Sequence, residues 1–390
     1  MRVSDPRMRT AAVAAVAGTL ALAACGTSDP AGPAANCAIP LDRFFDAGSE
    51  RTTIPYLTNP ELARRGTPDI AYLILSDRVI GFMFNGQPVA IPHKFLWHHE
   101  LVNMEIPGQQ ITVTYSPLTG SSAVYDRTGT GIGPMSISKY VLNSGLVIEE
   151  DGGSLRPQMS TIATCGAADG TSLSQIPFDE MTLGSWINLH LDTWVASSAT
   201  NLGILYTLFP YPGDYRDLNS TRLIYPLDGG IDPRHPPKDL VFGVRSGTGG
   251  MAFSLFQLDQ LRGAINVFVS VANAEIDGRP VAVFWNAAAR GARAYDAEVN
   301  GQRLHFDLVN GQRVDVETGS SWDFSGEAFN GPLTGSRLEP ITDTVVAYWF
   351  AWAAYQPDTD LWSPPIAASL LPAEDVGLPE GEIDWELSTR

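Results

Sequence analysis

The chain has 390 residues with 25 basic and 43 acidic side chains, and its formal net charge is −18. This balance argues against a nucleic-acid partner, because phosphate binding depends on clustered lysine and arginine. A chain of this length buries enough apolar surface to fold without a metal or a dense set of disulfides, and no metal site or cofactor is predicted.

Residues 1–24 have the pattern of a secretory signal peptide. Three arginines precede an apolar run from Ala11 to Ala24, and this run is shorter than the roughly 20 apolar residues that span a bilayer. It ends in Leu22-Ala23-Ala24-Cys25-Gly26, which resembles a bacterial lipobox. The pattern predicts lipid on Cys25 and an exported protein held to the cell membrane on its extracytoplasmic side. The alternative is an ordinary signal peptide beside an incidental cysteine.

Residues 25–36 are rich in Gly, Pro, Ala and Ser and are predicted to form a flexible tether. Loss of the signal peptide changes the formal charge to −20, so the lipid would attach the protein while an anionic membrane surface repels its folded body. Two further cysteines, Cys37 and Cys165, would then lie where disulfides persist. One bridge between them is expected, and two free buried thiols are the alternative.

Internal similarity suggests two related halves. The recurring groups are Val79-Ile80-Gly81 with Val241-Phe242-Gly243, Tyr125 with Tyr295 and Trp186 with Trp352, at offsets of 162, 170 and 166 residues. Offsets that shift by only a few residues between blocks are expected after a duplication followed by loop insertions. The predicted layout is a first half over residues 37–198, a proline-rich connector over 199–235, a second half over 236–362 and an acidic, proline-rich tail over 363–390.

Strand signals dominate both halves. Asn-Gly pairs at positions 85, 300 and 310 each separate runs of alternating apolar and polar residues and predict tight hairpins. Residues 111–115 and 281–285 are rich in β-branched and aromatic residues and predict buried strands. Helical periodicity is brief, over residues 94–103, 255–265 and 345–355. The predicted class is mainly β (α+β), with two tandem halves of antiparallel structure and a few short helices.

Several motifs carry a family resemblance. The first half contains Trp97-His98-His99-Glu100-Leu101-Val102-Asn103, Val113-Thr114-Tyr115-Ser116-Pro117-Leu118-Thr119-Gly120 and Leu142-Asn143-Ser144-Gly145-Leu146-Val147, and the second half contains Ser320-Ser321-Trp322-Asp323, Gly331-Pro332-Leu333-Thr334-Gly335 and Trp349-Phe350-Ala351-Trp352. In their order and spacing these motifs resemble a bacterial family, domain of unknown function 3179, some of whose members are selenoproteins. The resemblance covers most of residues 54–360 and implies a fold more than a function.

Two departures from the family pattern stand out. The resemblance implies Cys, Pro, Leu and then Cys or selenocysteine where this chain has Ser116-Pro117-Leu118-Thr119. A thiolate or selenolate with a neighbour two residues away can exchange disulfides, whereas hydroxyls cannot. Arg156 stands where the family's first half usually carries Trp. The redox role that the resemblance suggests is therefore expected to be lost.

The remaining candidates for catalysis lie close together in sequence: His99, Glu100, Asn103, Tyr115, Ser116 and Thr119. His99 to Asn103 differs by one residue from the zinc-protease helix, because Asn103 stands where the second histidine ligand would be. On a continuous helix His99 and Asn103 would share a face, where both could instead satisfy backbone groups at the helix end. Ser116 could act as a nucleophile with His99 as base, although it lacks the Gly-x-Ser-x-Gly elbow.

Two functions follow as hypotheses. In the first, the protein is a membrane-anchored lipoprotein whose paired halves form a binding or scaffolding module, with the loop over residues 115–120 lining a pocket. In the second, it is an extracytoplasmic enzyme, oxidoreductase-derived or hydrolytic, that uses His99, Glu100, Ser116 and Thr119. Convergence of these side chains in a concave pocket would favour the enzyme, and their burial in packed β-structure would favour the module. The partner, a small molecule or an envelope protein, stays open.

Replacing the predicted lipid-bearing residue tests the anchor. Cys25→Ala should abolish incorporation of labelled fatty acid, since no thiol is left to be acylated, whereas wild-type protein should need detergent for extraction because stable anchoring takes more than one acyl chain. Release of the wild-type protein by salt alone would contradict the prediction.

Overall fold

The computed structural model describes residues 37–247, 249–263 and 267–364. The predicted signal peptide, the lipid-bearing Cys25, the tether and residues 365–390 of the predicted tail lie outside the described residues.

The first half contains strands and helices in the following order: β1 Phe45–Asp46, α1 Ser49–Thr52, β2 Leu57–Thr58, β3 Leu62–Arg64, β4 Arg78–Phe84, β5 Gln87–Pro92, α2 His93–His99, β6 Leu101–Ile106, β7 Gln109–Ser116, β8 Ser121–Asp126, β9 Ser136–Leu142, β10 Gly145–Glu149, β11 Leu155–Pro157, β12 Phe178–Thr182, α3 Leu183–Leu189 and β13 Trp194–Ala196.

The second half continues with β14 Leu240–Ser246, β15 Gly249–Ser254, α4 Leu255–Gln260, β16 Val269–Ile276, β17 Arg279–Asn286, β18 Gly291–Asp296, β19 Glu298–Val299, β20 Gln302–Arg303, β21 Phe306–Val309, β22 Gln312–Asp315, β23 Ser321–Trp322, β24 Ala328–Asn330, β25 Pro340–Ile341, β26 Thr344–Tyr348, α5 Trp349–Tyr355 and β27 Asp360–Leu361. Between the halves, the connector contains one 3₁₀ turn, Gly213–Arg216.

The predicted class is confirmed: the described chain is mostly β, with several antiparallel sheets and five short α-helices. All three Asn-Gly pairs form hairpin turns in which both residues have positive φ, as this turn type requires. Residues 111–115 lie in β7, and residues 281–285 lie in β17. No helix in the described ranges is long and apolar enough to cross a membrane.

The predicted helix over residues 94–103 is wrong at its end. Helix α2 stops at His99 because Glu100 adopts a left-handed conformation with φ of 52°, which cannot continue a right-handed helix. Asn103 therefore lies on strand β6, and the helix face that it was predicted to share with His99 does not exist. Helix α3, over Leu183–Leu189, was not predicted.

Each half contains a sheet with the same arrangement. In the first half, hairpin β4–β5 is flanked by antiparallel β12 on one side and by parallel β13 on the other. In the second half, hairpin β14–β15 is flanked in the same way by β26 and β27. A short helix follows each hairpin, and a three-stranded meander follows each helix, β6–β7–β8 or β16–β17–β18.

The recurring glycines and tryptophans meet where a helix, α3 or α5, packs against each of these sheets. A Cβ atom on Gly81 would overlap the indole of Trp186, and a Cβ atom on Gly243 would overlap the indole of Trp352. Each indole thus lies directly on the backbone of an inner strand of its sheet, β4 or β14, and both tryptophans are buried. The shared arrangement agrees with the recurring sequence groups, but duplication of an ancestral half stays a prediction.

The predicted disulfide is present. Cys37 and Cys165 are bonded, with their Cα atoms 3.9 Å apart. In the chain-entropy model, closing a loop of this length stabilises the fold by about 5 kcal/mol at most. The bridge ties the start of the described chain to a buried part of the first half.

The contact between glycine and tryptophan gives a stability prediction. Gly81→Ala and Gly243→Ala should each lower the free energy of unfolding by about 3 kcal/mol, because the added methyl group has no space beside the indole. Gly213→Ala is the matched control, since a Cβ atom added there would meet nothing within 4 Å. Urea unfolding measures the difference, and equal stability of all three variants would refute the packing described.

Candidate functional site

The last residue of β7 and the turn that joins this strand to β8 form the 116–120 loop, which lies between the two halves. Its last residue, Gly120, has φ of 63°, and a Cβ atom there would come within 3.2 Å of the Leu240 and Tyr348 side chains. At the start of the loop, the Tyr115 N–H donates to the Glu100 carbonyl at 2.8 Å. The loop is thus adjacent to the end of α2 on one side and to the second half on the other.

His99 is fixed by two hydrogen bonds at the end of α2. Its Nδ1 atom lies 2.5 Å from the Pro55 carbonyl oxygen, and its Nε2 atom lies 2.7 Å from the Tyr206 hydroxyl. The residue is fully buried, and burial lowers the pKa of its imidazole to about 4. The ring is neutral at pH 7, and both nitrogens are occupied by protein partners.

Glu100 forms a buried ion pair rather than facing a pocket. Its carboxylate accepts two hydrogen bonds from the Arg51 guanidinium, at 2.7 and 2.6 Å, and a third from the Tyr211 hydroxyl at 2.9 Å. Helix α1 and the connector are thereby joined to the end of α2. Removing one partner of such a pair leaves an uncompensated buried charge.

Asn103 is fully bonded within the sheet. Its amide donates to the Met135 carbonyl at 2.9 Å, and its Oδ1 atom accepts from the Met135 N–H at 3.0 Å and from the Thr112 hydroxyl at 2.8 Å. These bonds connect β6 to the neighbouring strand and to the segment before β9.

The loop hydroxyls face a closed polar network. Thr119 Oγ1 lies 2.7 Å from Ser121 Oγ, and Ser121 donates to Gln158 Oε1 at 2.7 Å. The Gln158 amide reaches the Thr114 hydroxyl at 3.3 Å. Ser116 is also buried. The positions at which the family resemblance implies a redox pair therefore lie in packed β-structure in this protein.

Tyr115 points to a different group of residues. Its ring packs against the His93 imidazole, with centroids 4.2 Å apart, and both line a small cavity of about 50 Å³. The other lining residues include Asp77, Arg78, Lys94, Glu180 and Arg216 from the first half and connector, and Leu240, Val346 and Tyr348 from the second half.

The cavity contains a cluster of buried charges. Glu180 Oε2 lies 3.2 Å from His93 Nε2 and 3.4 Å from Arg78 Nη2, and Lys94 Nζ lies 3.0 Å from Asp77 Oδ1. Burial lowers the pKa of His93. Burial alone would raise the pKa of Glu180, but the neighbouring His93 and Arg78 outweigh it and lower that pKa. The site at neutral pH therefore combines a neutral imidazole with an ionised carboxylate.

A wider groove adjoins this cavity and shares Glu180 and Val346 with it. The groove has a volume of about 330 Å³. On its wall, Arg293 of the second half binds both carboxylate oxygens of Asp179 of the first half, at 2.7 and 2.6 Å. Both spaces are thus lined by residues from the two halves.

Comparison with known families gives the context of this site. The family model described as protein of unknown function (DUF3179) matches residues 51–359. The chain belongs to this family. No curated protein and no solved structure matches the chain significantly.

Within this DUF3179 protein, the second departure from the family pattern is also explained by local contacts. Arg156 is fully buried and binds Glu150 Oε1 through Nε at 2.5 Å, and it donates to the Thr171 carbonyl at 3.1 Å. At the corresponding position of the second half, the Trp322 indole donates to Asp315 at 2.8 Å. A charged pair and an indole–carboxylate bond thus occupy equivalent places.

Sequence reasoning on this DUF3179 protein missed the charge cluster. No local signal marked Arg78 or Glu180, because Arg78 follows Asp77 at the start of β4 and Glu180 follows Asp179 within β12. The members lie up to 103 positions apart in sequence, so their meeting depends on the pairing of β4 with β12. In the described ranges, no group of three or more potential ligands is placed to hold a metal ion.

The buried His99 gives a pH prediction. A histidine whose pKa falls from about 6.5 in the unfolded chain to about 4 in the fold binds its proton more readily when unfolded. The neutral, buried His99 therefore stabilises the fold fully above pH 6.5. The free energy of unfolding falls by about 3 kcal/mol as the pH drops from 6.5 to 4. His99→Gln should be less stable than wild type at pH 7 but should lose less stability between pH 6.5 and 4. Parallel pH curves from urea unfolding would refute this role.

Proposed function

We propose that this protein is an exported lipoprotein, anchored to the cell membrane through lipid on Cys25, whose folded body is a binding module. In this proposal the ligand is a small molecule that enters at the junction between the halves. The redox chemistry implied by the family resemblance is absent in this member.

One observation carries the proposal: the cavity beside the 116–120 loop is lined from both halves. Tyr115 and Gly120 contribute from the first half, and Leu240, Val346 and Tyr348 contribute from the second. Ligand sites often lie at such junctions, where a few polar groups converge within apolar walls. The cluster of buried charges supplies these polar groups.

The loss of redox chemistry is supported by the cysteines that remain. Ser116 and Thr119 carry hydroxyls, which form no thiolate, and Cys37 is bonded to Cys165. The lipid anchor rests on the sequence pattern at Cys25, and the acidic body argues against a nucleic-acid partner.

The enzymatic alternative has less support. His99 and Glu100 use their polar atoms in bonds to Pro55, Tyr206, Arg51 and Tyr211. Thr119 is buried in the hydrogen-bond network of Gln158, and Ser116 is buried as well. The four candidates therefore do not converge on one open space, which is the arrangement that a shared catalytic role needs.

Thiol–disulfide exchange assays test the proposal against the redox alternative. The wild-type protein should exchange dithiol and disulfide substrates no faster than the background rate, because it has no accessible thiolate. The double variant Ser116→Cys, Thr119→Cys should at most acquire a slowly reactive pair, since both positions are buried. Turnover by wild type that survives replacement of Cys37 and Cys165 would overturn the proposal. Loss of that turnover in His99→Ala would place the function in the enzyme class.

A further inference from the structure

Three members of the charge cluster have no charged counterpart in the second half. Arg78 begins β4, His93 begins α2 and Glu180 is the third residue of β12. The corresponding first residues of β14 and α4 and the third residue of β26 are Leu240, Leu255 and Val346, respectively. The same sheet arrangement therefore forms with apolar side chains at all three positions.

Because the second half forms the same sheet without charges at these positions, the charges need an explanation other than folding. Taking charges out of water costs several kcal/mol per ion, and apolar residues of similar volume often replace a buried pair without loss of stability. Leu240 and Val346 face the same cavity from the opposite half, so this molecule already contains a sheet with apolar side chains at the equivalent positions. The pairing of strands within a half thus does not require these three charges, although Arg78 also donates to the Arg290 carbonyl of the second half at 2.6 Å.

One carboxylate oxygen in the cluster has unmet bonding capacity. Glu180 Oε2 lies 3.2 Å from His93 Nε2, whereas Glu180 Oε1 is buried and has no hydrogen-bond partner of good geometry within the part of the chain that the structure describes. Both residues are more than nine-tenths buried. Leaving a buried acceptor atom without a donor is costly, so this one oxygen is suited to accept a hydrogen bond from a bound group.

Apart from Glu180 and from Asp77, whose carboxylate pairs with Lys94, the polar side chains that line the cavity carry hydrogen-bond donors. Arg78 and Lys94 are cationic, and burial raises the pKa of Tyr115 and raises that of Tyr348 to about 12, so both phenols keep their protons. Hydrogen bonds from such groups to an anion are among the strong ones. The cavity of about 50 Å³ holds roughly three to five water molecules, which is the size of one small oxyanion.

We propose that this cavity binds a small oxyanion that keeps a proton at neutral pH, of the hydrogen phosphate class. Arg78, Tyr115 and Tyr348 donate to its oxygens, and its hydroxyl donates to Glu180 Oε1. This inference rests on the proposed binding function and names its ligand class. An oxyanion without a proton has nothing to donate, so Glu180 repels it.

Inorganic phosphate and sulfate test this assignment at pH 7, because the two ions have the same shape and only phosphate carries a proton. Isothermal titration calorimetry on the wild-type protein should show phosphate binding at least 100-fold tighter than sulfate binding. Glu180→Gln should bring the two affinities within about tenfold of each other, since an amide no longer repels sulfate and can donate to it. Glu298→Gln, at an exposed carboxylate, is the control and should keep the wild-type preference.

Variants of the two tyrosines give an independent test of the proposal. Tyr115→Phe and Tyr348→Phe should each weaken phosphate binding about tenfold or more, because each removes one hydrogen bond to a charged group. Urea unfolding of both variants checks that the fold is intact. Methyl phosphate, which at pH 7 is mostly a dianion without a proton, should bind about tenfold or more weakly than phosphate, and equal binding of the two would contradict the requirement for a donated proton. Binding of inorganic phosphate alone would identify the free ion.

Three further results would overturn the inference: no phosphate binding at 10 mM or below, equal affinity of wild type for phosphate and sulfate, or an unchanged preference in a folded Glu180→Gln variant. If phosphate fails to bind and thiol exchange stays at background, the assignment of the ligand is wrong, but the proposed binding function is not contradicted. If thiol exchange shows turnover, the proposed function itself falls.

Discussion

The two halves are held together by a reciprocal pair of backbone hydrogen bonds. The Tyr348 N–H, just before α5, donates to the Thr119 carbonyl in the first-half loop at 2.8 Å. The Thr182 N–H, just before α3, donates to the Ala289 carbonyl in the corresponding second-half loop, also at 2.8 Å. Each half thus places its hairpin loop at the start of the other half's helix, where backbone N–H groups lack partners within the helix.

This reciprocal contact determines what the loops can do. Each loop ends in a left-handed residue, Gly120 in the first half and Arg290 in the second, and the Arg290 carbonyl accepts from Arg78 at 2.6 Å. The first-half loop is therefore covered by the second half rather than open to solvent. A thiol pair at Ser116 and Thr119 would be sheltered in the same way. The polar side chains that line the cavity at the junction are instead those around Tyr115, His93 and Glu180.

The sequence predicted those features that depend on local patterns. The Asn-Gly hairpins followed from the need for positive φ at two adjacent residues, and the recurring glycines and tryptophans marked positions that do pack together within each half. The end of α2 was missed because Glu100 takes a left-handed conformation that usually belongs to glycine or asparagine. The charge cluster was missed because it depends on which strands pair, and single charged residues in strands are usually solvated. His99 and Glu100 were more conspicuous because they are adjacent in sequence, yet their bonds serve the fold.

If the charges at the junction serve a ligand, the fold should tolerate their loss. The most direct measurement is the free energy of unfolding of a triple variant that carries the second half's residues, Arg78→Leu, His93→Leu and Glu180→Val. We expect its stability to equal or exceed that of wild type, to within about 1 kcal/mol, because the apolar set removes the desolvation cost of the charges. A loss of about 3–5 kcal/mol would show that the cluster holds the halves together, and this would contradict a role in binding.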